Sequence, residues 1–264
     1  MNGFQVRVIT AMVFGVIVLG FIYMGRPWIS ILLFVIAVGS SYEYEKAVHT
    51  RSIGLYPLLG AIGFLFTYFY LSTRICSYLV IINCLVALML IYWVFRKHNF
   101  FDHRKFGVII NFFYTGVSLG LLSKYISSIE NSSLFILTIL ILIWLSDTGA
   151  YLIGSQLGKR KLLPRISPNK TVEGFFGAFL FTIIGAIVLF KTATMHHSLM
   201  WWIGLSICIW IFGALGDLVQ SSIKRKYGIK DSGSFLPGHG GIWDRFDSLL
   251  LVTPYVLLFV NLCS

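Results

Sequence analysis

The sequence predicts an all-α polytopic membrane protein with about nine transmembrane helices, and three observations predict this fold class. Of the 264 residues, 57% are hydrophobic and only 12% are charged, whereas about 25% of the residues in a typical soluble domain are charged. Several separate apolar runs are long enough to cross a bilayer core of about 30 Å. Most Lys and Arg residues fall in connections on one side of those runs.

The apolar windows are expected to form helices, because a backbone in lipid must satisfy its own hydrogen bonds. The first window lacks a convincing signal-peptide cleavage site, so we expect a retained first helix. The second is the least secure, because Glu43 and Glu45 follow a rather short apolar run. The windows lie near residues 6–24, 28–42, 55–72, 75–95, 106–122, 133–153, 172–190, 198–217 and 246–262.

No internal repeat, low-complexity tract or Pro-rich linker divides the chain, which predicts one integral membrane domain over residues 1–264. Within it, N-terminal helices occupy about residues 1–130, and the helices and loops that carry the candidate chemistry occupy about residues 133–264.

The orientation follows from the basic residues, which give a net charge of +11 at pH 7. The side that holds the N-terminus and the connections after helices two, four, six and eight carries most of the Lys and Arg. The positive-inside rule makes that side cytoplasmic. The excess is smaller when the connections after helices six and eight are left out, but its sign is the same.

Acidic residues are rare, and six of the ten lie in or beside the connections after helices six and eight. Asp147 and Asp217 stand near the ends of apolar helices, where a carboxylate at membrane depth costs about 2.5–3.5 kcal/mol. That cost implies a partner or a polar cavity. The alternative, that each Asp caps a helix or pairs with a Lys, is weaker for Asp217, because Asp244 and Asp247 add an acid pair on one helical face. Gly213 and Gly216 before Asp217 allow a helix or a ligand to approach closely.

Oxygen ligands without a Cys or His cluster favour Mg²⁺, which takes one or two protein carboxylates and fills its shell with phosphate oxygens and water. The metal would then arrive with a phosphorylated substrate. Basic residues mixed with acids in the same connections indicate polyphosphate binding. These residues are Lys159, Arg160, Lys161, Arg165 and Lys170 in the first connection, and Lys224, Arg225, Lys226, Lys230 and Arg245 in the second.

Two short segments complete the candidate site. SPNKTVEG, residues 167–174, is expected to aim backbone N–H groups and a positive helix end at a phosphate, with Ser167, Asn169 and Lys170 beside the substrate. The alternative is an ordinary Pro turn with Thr171 as the helix N-cap. In PGHGG, residues 237–241, the backbone can closely approach a ligand, and we expect His239 to position a phosphate rather than transfer a proton.

The stretch SSIKRKYGIKDSGSFLPGHGGIWDRFD, residues 221–247, resembles the signature of the bacterial CDP-diacylglycerol synthases. Residues 147–174 are similar to the other cytoplasmic segment of that family. The resemblance is good from about residue 135 onward and thin before it. One departure is Gln220, where family members commonly carry an acid, so no role is carried over to that position. The matching signature residues are Lys224, Arg225, Lys230, Asp231, Gly233, His239, Gly240, Gly241, Asp244, Arg245 and Asp247.

The resemblance implies an enzyme of the bacterial inner membrane, with a cytoplasmic active site, that transfers cytidylyl from CTP to phosphatidate and requires Mg²⁺, as one ion or two. The family's metal-binding acids correspond to Asp217 and Asp244, and Asp147 and Asp247 are further metal candidates. The catalytic set is then Asp217, Asp244, Lys224, Arg225 and Ser221. The substrate-binding set is Lys170, Lys230, Asp231, His239, Gly240, Gly241, Arg245, Ser167 and Asn169.

The expected partners are CTP, phosphatidate and the lipid bilayer, with no nucleic acid, and a homodimer is one open oligomeric state. The first alternative is a related CTP-dependent transferase that acts on another lipid phosphate, such as a prenyl or an ether lipid. The second is a transporter of phosphorylated compounds, which predicts internal repeats and charges near the bilayer middle. The third is an inactive lipid-binding homologue.

Overall fold

The computed structural model describes residues 3–48, 54–96, 103–233, 235 and 240–263, and almost all of them are helical. Over these residues each of the nine apolar windows corresponds to one helical rod, and the fifth rod consists of two helices joined by a π-helical segment. In chain order the elements are α1 (Gly3–Tyr23), α2 (Arg26–Val48), α3 (Leu55–Tyr70), α4 (Thr73–Phe95), α5 (His103–Asn111), the π-helical segment (Phe112–Val117), α6 (Ser118–Ser128), α7 (Ser132–Leu157), β1 (Lys161–Leu163), β2 (Ser167–Thr171), α8 (Val172–Thr192), α9 (Leu199–Lys226) and α10 (Trp243–Cys263).

Seven of the described rods are long and apolar enough to cross a membrane. The other two are shorter: the apolar part of α1, Val8–Tyr23, and α3, Leu55–Tyr70. Sixteen residues of α-helix span only about 24 Å, less than the bilayer core of about 30 Å. The helical membrane fold is therefore confirmed, and a count of nine full spans stays a prediction.

Helix α2 is longer than the second apolar window. It continues to Val48 and contains Glu43 and Glu45, each only 5% exposed. The second helix, the least secure of the predicted helices, is therefore present, and its two acids are buried because both carboxylates find hydrogen-bond donors inside the protein. The Gly54 N–H donates to Glu45 Oε2 at 3.0 Å, and such pairing is what allows a polar group to be buried.

A two-stranded antiparallel hairpin, β1 with β2, adds an element that the all-α prediction did not include. Lys161 is opposite Thr171, and Leu163 is opposite Ser167. The hairpin is tied to the start of α8, because Glu173 accepts hydrogen bonds from the backbone N–H groups of Lys159 and Arg160. Because these strands have only three and five residues, they leave no detectable alternating pattern in the sequence.

Small residues bring the helices of the C-terminal half very close together. A Cβ atom on Gly149 of α7 would lie 2.6 Å from the carbonyl oxygen of Gly177 on α8. A Cβ atom on Gly216 of α9 would lie 2.8 Å from the carbonyl oxygen of Asp247 on α10. Close backbone approach of this kind is typical of helices packed in membranes. The expectation that Gly216 admits a neighbouring helix is thereby confirmed, and this contact places Asp217 beside the first turns of α10.

Candidate active site

Three carboxylates from three helices line one polar cavity. Asp147 comes from α7, Asp217 from α9 and Asp247 from α10, and they are close enough to interact electrostatically. The cavity has a volume of about 730 Å³ and is closed on one side by the β1–β2 hairpin. We call it the hairpin cavity. Its size lies within the range of small-molecule sites, which is about 300–1,000 Å³.

Lys170 connects the hairpin to this acid cluster. Its Nζ lies 2.7 Å from Asp217 Oδ2 and donates to the carbonyl oxygen of Ala214 at 3.4 Å. The hydroxyl of Ser221 donates to the other oxygen, Asp217 Oδ1, at 3.0 Å. The side chains of Lys170 and Asp217 remain 26% and 39% exposed, so a ligand in the cavity can reach both of them.

Strand β2 places Ser167, Asn169 and Lys170 on the wall of the hairpin cavity, together with Lys161 of β1. The alternative for Thr171 is confirmed, because this residue is the N-cap of α8 and its hydroxyl accepts from the Gly174 N–H at 3.1 Å. The Val172 N–H donates to the Arg160 carbonyl oxygen at 2.8 Å. These two amides of the helix start are therefore engaged by the protein.

Asp244 has a different environment, in which every carboxylate position is taken by the protein. Oδ1 accepts from Lys224 Nζ at 2.7 Å and from Gln220 Nε2 at 3.1 Å. Oδ2 accepts from the backbone N–H groups of Ser232 at 2.9 Å and Gly241 at 3.0 Å. A carboxylate offers about four lone-pair sites, so Asp244 fixes the connection between α9 and α10.

The amide of Gln220, the position that departs from the family pattern, donates to this same carboxylate and is 1% exposed.

Glu43 of α2 binds the same connection, and the candidate residues chosen from the sequence did not include it. Its Oε1 accepts from the Ile242 N–H at 2.9 Å, and its Oε2 accepts from the Trp243 N–H at 2.9 Å and from the Ser232 hydroxyl at 2.6 Å. A Cβ atom on Gly241 would lie 2.0 Å from the Glu43 carboxylate. Glycine is required there, because the carboxylate leaves no room for a side chain.

Of the remaining residues predicted for the site, one lines a cavity and several lie at exposed positions away from both cavities. Arg245 is exposed and lines a second cavity of about 300 Å³, between α1, α7 and α10, together with Asp147, Asp244 and Asp247. Arg225, Lys230 and Asp231 are exposed and line neither the hairpin cavity nor this second cavity. Gly240 has a φ of 83°, a left-handed backbone conformation that favours glycine. The prediction for His239 lies outside the described residues.

The donor set suits a hard cation that is shared with a substrate. Within the described ranges, no three His, Cys, Asp or Glu side chains are arranged to hold a metal ion by themselves. Mg²⁺ usually binds through one or two carboxylates and takes its other ligands from phosphates and water. Asp217 and Asp247 fit that pattern, since both face the hairpin cavity. Asp244 could join such a shell only by exchanging one of its four donors.

Residues 5–263 match the family model of the cytidylyltransferase family. The chain is 35% identical to the phosphatidate cytidylyltransferase of Bacillus subtilis, with 98% of each protein covered. It is 33% identical to the phosphatidate cytidylyltransferase of Staphylococcus epidermidis, and 32% identical to that of Staphylococcus aureus. In both comparisons 95% of this chain and 96% of the relative are covered.

Proposed function

The chain belongs to the cytidylyltransferase family, and from that membership we infer that it transfers a cytidylyl group from CTP to phosphatidate. The products are CDP-diacylglycerol and pyrophosphate, which makes the protein a nucleotidyltransferase of phospholipid biosynthesis. The inference is carried by similarity to phosphatidate cytidylyltransferases over nearly the whole chain.

The geometry supports a reaction between one water-soluble and one lipid substrate. The hairpin cavity and the cavity beside α1 share three lining residues, Asp147, Asp247 and Ser248. One cavity is bordered by the polar hairpin, and the other by apolar residues of α1 and α7. We propose that CTP occupies the hairpin cavity and that the phosphate of phosphatidate meets it at the shared carboxylates.

The reaction we propose is a direct in-line transfer. An anionic oxygen of phosphatidate forms a bond to the α-phosphorus of CTP, and the bond from that phosphorus to the oxygen bridging the α- and β-phosphates breaks. Pyrophosphate leaves with the electron pair of that bond. Because the attacking oxygen is already anionic, the site needs charge stabilisation and alignment more than proton transfer.

Cationic side chains supply part of that stabilisation. Lys170 and Lys161 border the hairpin cavity and would hold the phosphates of CTP, and Arg245 in the second cavity would hold the phosphate of the lipid. We propose that Lys224, now bonded to Asp244, turns to the phosphates when the substrates bind, because its ammonium ends a flexible chain with rotatable donors.

We further propose that Mg²⁺ is held by Asp217 and Asp244, with Asp147 and Asp247 beside them, and one or two ions fit this donor set. When bound, Mg²⁺ would neutralise phosphate charge and stabilise the leaving pyrophosphate. Asp244 would become available as Lys224 leaves it, while the amide of Gln220 continues to hold its carboxylate in place.

The orientation we propose puts the N-terminus, the hairpin and the α9–α10 connection on the cytoplasmic side of the bacterial inner membrane. The basic residues of the chain support it, since Lys and Arg are concentrated on that side. CTP would then reach the hairpin cavity from the cytoplasm, and phosphatidate would reach the second cavity from the inner leaflet.

The decisive experiment measures pyrophosphate release by the purified full-length protein. We expect release from CTP to require both phosphatidate and Mg²⁺ and to stop when a chelator removes the metal. Release that does not depend on phosphatidate would overturn the proposal. Labelled CTP with prenyl phosphate or an ether-lipid phosphate as acceptor, followed by thin-layer separation of the products, tests the related transferase.

A further inference from the structure

Helix α1 separates two cavities, one of which is the second cavity of about 300 Å³ described above. Thr10, Phe14 and Val18 recur at four-residue spacing on one helical face, and with Phe246 of α10 they line both cavities. The Phe14 and Phe246 rings are in contact, with their centroids 5.7 Å apart. This face of α1 therefore forms the wall between the two cavities, and we call it the α1 ridge. One cavity lies between α1 and α7, and the other lies between α1 and α2.

The second cavity, which we now call the α1–α7 cavity, has a polar end and an apolar end. Arg245 and the carboxylates of Asp147 and Asp247 lie at its polar end, where it joins the hairpin cavity. Leu140 precedes Asp147 by seven residues, which corresponds to about 10 Å along α7. The cavity therefore runs from the charged site into the apolar part of the helices, as a lipid with a phosphate head requires.

The α1–α2 groove has a volume of about 480 Å³, and Thr10 is the one polar side chain among its lining residues. It extends along α1 from Ile9 to Phe21, about 18 Å of helix. Half of a bilayer core of about 30 Å is about 15 Å, so the groove has the length of one leaflet's hydrocarbon. Phe235, from the connection before α10, lies at its mouth and is 69% exposed.

The geometry points to a binding site for both acyl chains of the lipid substrate, with one chain on each side of the α1 ridge. The phosphate head lies at the Arg245 end of the α1–α7 cavity, one chain follows that cavity, and the second chain lies in the α1–α2 groove. This inference rests on the proposed use of phosphatidate. It assigns to α1 the recognition of a two-chain lipid phosphate over a one-chain lipid phosphate.

Two substitutions fill the two cavities separately. Gly15 lines the α1–α7 cavity, and a Cβ atom there would meet no atom within 4 Å, so Gly15→Leu inserts a side chain without a backbone clash. Its matched control is Gly20→Leu, because a Cβ atom on Gly20 is equally free and Gly20 lines neither cavity. Val13→Trp fills the α1–α2 groove, and its control is the exposed Val16→Trp.

The assay uses the full-length protein in nanodiscs and measures KM for phosphatidate, for lysophosphatidate and for CTP. The wild type should show a KM at least threefold lower for the two-chain lipid. Gly15→Leu and Val13→Trp should each remove that preference and leave KM for CTP unchanged, and both control variants should retain it.

Equal KM values for the two lipids in the wild type would overturn the inference. The same holds if the cavity-filling variants behave like their controls, which would mean that ordinary membrane lipid occupies the grooves. In both cases pyrophosphate release would still depend on phosphatidate. Loss of that dependence in the wild type would instead contradict the proposed function.

Discussion

Asp217 has fewer protein donors than Asp244, the other carboxylate that the family resemblance assigns to the metal. Its carboxylate is bonded to Lys170 and Ser221 and stays partly exposed in the hairpin cavity, whereas Asp244 is enclosed by four donors. Both residues were predicted because charged residues are rare in this apolar sequence and a carboxylate at membrane depth needs a partner. The sequence did not predict that Asp244 has more donors than Asp217, since those donors come from four positions along the chain.

Asp217→Asn removes the charge without changing the shape of the side chain. We expect turnover to fall by about 100-fold or more, the size of effect seen when one group that stabilises transition-state charge is removed. Glu130→Gln, at an exposed position far from the cavity, serves as the control. Near-normal turnover of a well-folded Asp217→Asn protein would contradict the role of this carboxylate.

Glu43 shows where residue-level prediction fails. Two of its donors, Ile242 and Trp243, are 199 and 200 residues away along the chain, and no local pattern reports such a pairing. A signal was present in the sequence, because two acids at the end of an apolar helix require partners. Their burial explains why α2 is helical beyond the apolar window.

Glu43→Gln leaves the glutamine amide facing at least one backbone N–H. An unsatisfied buried donor costs about 1–3 kcal/mol, so we expect lower thermal stability together with lower turnover. Glu45→Gln is a matched control, equally buried in α2 but bonded to Gly54. It should lose stability and keep its turnover. Thermal melts and activity measured well below both transitions separate the two effects, and equal turnover in both variants would exclude a positioning role for Glu43.

At the level of elements, the helices were predictable and the hairpin was not. Apolar length is a local property of the sequence, so each window located a helix, including those on either side of the π-helical segment. The hairpin depends on a tertiary contact, the Glu173 carboxylate with the N–H groups of Lys159 and Arg160. Yet this short element forms the wall of the largest polar cavity described.

The packing of α7 on α8 holds that wall and can be tested with a pair of glycines. A Cβ atom on Gly149 would press against a backbone oxygen at 2.6 Å, whereas one on Gly185 would meet the movable end of the Leu145 side chain. Gly149→Ala should therefore lower the free energy of unfolding by about 1–3 kcal/mol. Gly185→Ala should be nearly neutral. Identical melting temperatures for the two variants in detergent would contradict this explanation of the interface.

The whole molecule joins an N-terminal set of helices to the site in the C-terminal half. Helix α2 supplies Glu43 to the α9–α10 connection, and α6 adds a hydrogen bond from Ser118 to the Leu250 carbonyl oxygen at 3.2 Å. The resemblance to a known family was thin in the N-terminal half, so this contribution could not be inferred from motifs. It follows from helix packing, which depends on the complete chain.

The orientation of the chain in the membrane is also a property of the whole molecule. It can be measured by labelling intact cells with a membrane-impermeant maleimide. Cys263 at the end of α10 is exposed and is expected on the outer side, so a variant in which Cys76, Cys84 and Cys208 are replaced by Ser should react. In the same background, a Cys263→Ser, Lys230→Cys variant should react only after lysis, because the α9–α10 connection is expected to face the cytoplasm. The reverse pattern would invert the proposed topology.

The contact between Glu43 and α10 also has a consequence for biosynthesis. The ribosome completes α2 long before it makes residues 242 and 243, and at about 5–20 residues per second this interval lasts about 10–40 s. During that time the Glu43 carboxylate has none of the three donors that α10 and the preceding connection provide. The end of α2 must therefore stay hydrated at the membrane face until the last helix is inserted.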